Sequence, residues 1–208
     1  MKAKGTVFVF VLASLYSAVL IIAEALHSQD YVRPYYADIE GSVLFFAVNT
    51  TISTALLWAC ALIFGICLTL LEVESTRRRI FYLSQVLVFA YLGLDDRFMF
   101  HEILGERLGI ADVYLILGLG ILEMGTLLFL GEIDKRSASV RFYLLAAGGM
   151  FMVMVYADGF MGARQLLRLS IEDLSKTWGG LFLCLMAWRM MRDEIDALRR
   201  RPRGALDT

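Results

Sequence analysis

The chain holds two histidines, and each stands among carboxylates: His27 lies three residues after Glu24 in AEALHS, and His101 shares LDDRFMFHE with Asp95, Asp96 and Glu102. Imidazole suits the later first-row metals and carboxylate the harder ions, so these side chains would serve as ligands for Zn²⁺, Mn²⁺ or iron. Asp158, in YADGF, is a further candidate. The metal set read from the sequence is therefore Glu24, His27, Asp95, Asp96, His101, Glu102 and Asp158. A spare carboxylate acting as general base on metal-bound water would make such a site a metal-dependent membrane hydrolase acting on a lipid-like substrate.

Two other readings use the same residues. An ion-pair network in which Arg97 meets Asp95, Asp96 or Asp158 needs no metal, because structural networks also gather ionisable groups. A b-type haem between His27 and His101 would use axial imidazoles, but the nearby acids are unusual neighbours for its propionates. Asp112, at the start of a helical stretch, reads equally well as a cap. No H-E-x-x-H, H-x-x-x-H or repeated E-x-x-H pattern occurs, nor a Gly-rich phosphate loop, a G-x-S-x-G elbow or an intramembrane lysine for a Schiff base. Cys60, Cys67 and Cys184 sit in apolar runs without a C-x-x-C pair, which points to inert thiols.

The elements that must position these residues are membrane helices. Hydrophobic residues make up 59% of the chain and the mean hydropathy is +0.65, above the ~45–50% apolar usage of soluble domains. Nothing in the charge pattern suggests nucleic-acid binding. About 20 apolar residues are needed to cross the hydrocarbon as a helix. Six segments qualify, near 6–27, 42–71, 80–103, 110–131, 142–162 and 174–192, which makes the expected fold an all-α six-transmembrane-helix bundle in a single domain. The N-terminus resembles a signal peptide in its basic start and Ala-Glu-Ala. Its apolar run from Val7 to Ala23 is longer than a usual signal core, so a retained first span is expected.

Orientation follows the basic residues, which favour the cytoplasmic side. One set of connections carries 14 of the 20 Lys and Arg residues, including Lys2, Arg77, Arg78, Arg79, Lys135, Arg136 and the tail from Arg189 to Arg203. The other carries Arg33, Arg97, Arg107, Arg164, Arg168 and Lys176. Both termini are therefore expected in the cytoplasm, in a bacterial inner membrane, with the histidines at the outer face.

The third span decides where the aspartates fall. Ile80 to Leu94 would rise only about 22 Å as helix, so the helix is expected to continue through Phe98, Met99 and Phe100. Asp95 and Asp96 then face the bundle, since a carboxylate directed at lipid is expensive. On such a helix Asp95, Glu102 and Glu106 would share one stripe.

Elsewhere, Glu123 falls within the fourth span, where an ionisable residue is a functional candidate or a protonated, hydrogen-bonded acid. The polar run VNTTISTA in the second span reads as interhelical hydrogen bonding. Gly148-Gly149 and Gly179-Gly180 would allow close backbone approach, while Met150, Met152 and Met154 alternate and share no helix face. Few polar residues continue toward the cytoplasmic side beyond Ser84 and Gln85, which argues against a transport path through this chain alone. The expected function is an outer-face binding site, metal-binding, with catalysis undecided. The alternatives are a non-catalytic accessory subunit of a larger membrane complex and a small transporter subunit, with the lipid bilayer and other membrane subunits as partners.

Overall fold

The computed structural model describes residues 3–36, 47–70, 76–162 and 165–200, and every regular element among them is helical. In chain order these are α1 (Ala3–Leu26), α2 (Gln29–Tyr36), α3 (Val48–Leu70), α4 (Thr76–Phe98), α5 (Phe100–Leu108), α6 (Asp112–Phe129), α7 (Ala138–Phe160) and α8 (Arg168–Arg199), with a single 3₁₀ turn at Ile133–Lys135. Residues 42–46 and 71 of the expected second span, and Arg201 and Arg203 of the tail, lie outside the described residues.

Among the described residues, three helices are long and apolar enough to cross a membrane: Gly5–Leu26 of α1, Val48–Thr69 of α3 and Ala138–Phe160 of α7. The pair Phe100–Leu108 and Val113–Phe129 makes a fourth if its 118° bend is taken within one span. α4 and α8 coincide in position with expected spans but carry charge at or near their ends. Val7, Phe8, Val11, Leu15, Val19 and Ile22 are all exposed along α1, the surface expected of a helix whose solvent is lipid rather than water.

α8 is the axis of the packing. It lies along α7 and α3, and α3 in turn lies along α4. Phe64 of α3 stacks on Phe89 of α4 with ring centroids 5.7 Å apart, and Phe81, Tyr82, Met186 and Met190 close the core around them. Of the glycine pairs expected to allow close approach, Gly179 does so, since a β-carbon there would stand 3.0 Å from the Phe151 ring, whereas one at Gly149 would meet nothing within 4 Å. At Gly93 a β-carbon would stand 2.4 Å from the Trp58 indole, so α3 and α4 meet this closely only because Gly93 has no side chain.

One expectation for the fold is corrected. The third long helix does not run through Met99. It stops at Phe98, Met99 takes the left-handed conformation at φ 53, ψ 41, and α5 starts in a new direction at Phe100. The common stripe of Asp95, Glu102 and Glu106 is thereby broken, and Glu102 and Glu106 are exposed.

Candidate functional site

The break at Met99 has a local cause. Met99 has no side chain that can cap α5, and the first amides of any helix need acceptors from outside it. Asp95, one turn back on α4, supplies one. Its Oδ1 accepts the backbone N–H of His101 at 2.8 Å, and its Oδ2 lies 2.7 Å from the His101 Nδ1. Both contacts come from one buried carboxylate, so Asp95 ties the first turn of α5 to the last turn of α4.

Its neighbour Asp96 points to the other helices. Lys176 of α8 places its Nζ 2.5 Å from Asp96 Oδ1, and the Thr54 hydroxyl of α3 donates to Oδ2 at 3.1 Å. The Asp96 side chain is only 6% exposed, so losing either partner would leave a buried polar group unsatisfied. Two turns earlier on α8, Arg168 bridges two acids: its guanidinium lies 3.0 Å from Asp158 of α7 and 3.2 Å from Glu172. Its Nε also donates to the Ala157 carbonyl at 3.2 Å, closing the end of α7.

Hydroxyls and amides extend the network to α1 and α2. The fully buried Glu24 accepts from both the amide and the hydroxyl of Ser170, and the Tyr36 hydroxyl joins that same Ser170 oxygen at 2.9 Å. Asn49 of α3 accepts from Thr177 at 2.9 Å and from Tyr16 at 3.2 Å while donating to the Asp173 carbonyl at 3.2 Å. Thr50 donates to the Tyr36 carbonyl at 2.5 Å. The polar run of α3 thus does bond helix to helix.

Among the sequence candidates, the structure joins Asp95 to His101 and sets Asp96 beside them, each acid with its own partner. Glu24 is held by Ser170 and Asp158 by Arg168, in different contacts of the same end of the bundle. His27 is exposed and its ring lies on Tyr31, with centroids 4.4 Å apart. Among the described residues, no three His, Cys, Asp or Glu side chains are arranged to hold a metal ion.

What sequence reasoning missed is α8. Arg168, Glu172 and Lys176 follow one another at i, i+4 spacing in RLSIEDLSK, a signal that these residues share a helix face, yet the sixth span was expected to begin only at 174. Burial pushes the carboxyls of Glu172 and Asp173 upward, to about 7 and about 6, against the pull of Arg168 and Lys176.

The opposite end of α8 carries a second network. Glu194 receives Arg136 at 2.6 Å and the Tyr82 hydroxyl at 2.7 Å, and also pairs with Arg78. Burial alone would push this carboxyl up, but the three donors and the Arg136 charge outweigh it and hold it at about 2. As part of a solvated basic tail Glu194 would be free in solution. Instead α8 continues as helix to Arg199, and Glu194 is buried against α4 and the loop before α7.

With this geometry in place, the comparison with known families has a direct outcome: the profile of a domain of unknown function, DUF8692, matches residues 6–190. The chain belongs to that family. The match runs from α1 into α8 and so takes in every residue of the network around Asp95, Asp96 and Arg168, while Glu194 lies just beyond it. No curated protein and no solved structure matches the chain.

Proposed function

We propose that this DUF8692 member is a six-span membrane protein with both termini in the cytoplasm, and that the network around Asp95, Asp96 and α8 lies at its outer face. In this reading α1, α3, α4, α6, α7 and α8 are the spans, α2 and α5 lie at the outer boundary, and the Glu194 cluster lies at the inner one. The 14-to-six division of basic residues supports the orientation. The protein acts as a non-catalytic binding or accessory subunit, and its outer network is an internally neutralised ion-pair lattice. The observation that carries this reading is the Lys176–Asp96 contact of 2.5 Å: the chain supplies its own cation to the carboxylate that a metal would otherwise need.

The Asp95–His101 pair favours a second reading. A carboxylate bound to Nδ1 is the arrangement that orients a histidine for metal ligation or proton transfer. A divalent ion at His101, with Asp96 released from Lys176, would restore the metal-dependent hydrolase as an option. Elemental analysis of the chain, purified without chelators, separates the two. The ion-pair reading expects no stoichiometric Zn, Mn or Fe in wild type. Stoichiometric metal that disappears in His101→Ala would establish the second reading instead.

A further inference from the structure

Away from both networks, α4 and α6 bury two polar side chains against each other. Arg77 donates to the Phe129 carbonyl and lies 3.7 Å from Glu132, and Phe81 packs on Gly131. The two helices therefore run antiparallel, and one turn further on Gln85 of α4 comes beside Glu123 of α6. Gln85 is fully buried and Glu123 is 9% exposed. The Gln85 amide lies within reach of the Glu123 carboxyl, but neither oxygen of Glu123 and neither polar atom of Gln85 closes a well-formed hydrogen bond with any described residue.

Two adjacent, enclosed polar side chains without hydrogen bonds are costly unless something satisfies them. An ionised carboxylate here would also need a cation, and the side chain set against it, Gln85, carries none. A neutral Glu123 has one O–H donor and a carbonyl acceptor, while Gln85 has an N–H₂ donor and a carbonyl acceptor. Together they offer donors and acceptors in the numbers that one water molecule requires of its surroundings.

We infer that Gln85 and Glu123 form an intramembrane proton-and-water site, in which Glu123 is held as the neutral acid and a single water molecule bridges it to Gln85. The site lies at the α4–α6 interface and uses none of the residues of the outer network. It does not depend on how the outer network functions.

Infrared spectroscopy of the full chain in lipid vesicles at neutral pH tests this. Wild type should show a protonated-carboxyl C=O band that moves on ¹³C-glutamate labelling, moves down when H₂O is replaced by D₂O, and is lost in Glu123→Gln. Gln85→Leu should shift it to higher frequency by removing the bridged partner. Glu123→Asp, which keeps an acid, should lose the ¹³C-glutamate sensitivity while retaining a protonated band, and it assigns the band should the Gln variant fail to fold. The inference is overturned if wild type shows no protonated glutamate band, if that band is untouched by D₂O, or if Gln85→Leu leaves its frequency unchanged.

Discussion

Asp95 and Asp96 are adjacent in sequence but serve different helices: Asp95 holds His101 at the start of α5, while Asp96 holds Lys176 of α8 at 2.5 Å. Successive residues on a helix point about 100° apart, so a DD pair at a helix end can fasten two neighbours at once. This is the physical reason that so much charge follows the apolar run of α4.

The cap supplied by Asp95 should be measurable. Asp95→Asn keeps one acceptor but loses the charge that draws the imidazole, and Asp95→Ala loses both. Hydrogen exchange in the first turn of α5 should rise moderately in the first variant and strongly in the second, with a destabilisation of about 1–3 kcal/mol for the alanine. Unchanged protection of the His101 amide in Asp95→Ala would show that Asp95 does not cap the helix.

Glu194 should matter more than its position near the C-terminus suggests. Glu194→Gln leaves Arg78 and Arg136 without their shared carboxylate, and breaking a buried pair of this kind costs about 3–5 kcal/mol. The pH dependence has a definite sign. Because the folded-state value of about 2 lies below the unfolded value of ~4.3, the stabilisation is complete above the latter and is lost as pH falls through the former. Thermal denaturation of wild type and Glu194→Gln in detergent should therefore differ most above pH ~4.5 and converge toward pH 2; a constant difference across that range would contradict the assignment.

Topology can be read by labelling. With Cys60, Cys67 and Cys184 replaced by alanine, single cysteines at Ser28 and Ser137 should react with an impermeant thiol reagent from opposite sides of a sealed vesicle. Reaction of both from the same side would overturn the six-span arrangement.

The all-helical fold and the approximate positions of its long helices were legible in the sequence, because apolar length and charge at the ends are local properties. The polar character of the end holding Asp95, Asp96 and Glu24 was legible for the same reason. Partner choice was not. The stretch DDRFMFHE suits a continuous helix as well as one that breaks at Met99, and only the fold shows Asp95 accepting the His101 amide. The sequence reading weighed Arg97 as a partner for the aspartates but did not foresee His101, Lys176 and Arg168 in that role. The roles of Lys176 and Glu194 were not legible either: both lie on α8, whose 32 residues combine a buried middle with charged ends that are folded inward against other helices.

The most direct test is a double-mutant cycle on Asp96 and Lys176, with stability measured for wild type, Asp96→Asn, Lys176→Gln and the double variant in the same detergent. If Lys176 is the cation that neutralises Asp96, each single variant strands a buried charge and the double variant strands none, so the double should be less destabilised than the sum of the singles by about 1–3 kcal/mol. Strict additivity, with the double variant as unstable as the two single losses combined, would contradict an internally neutralised network.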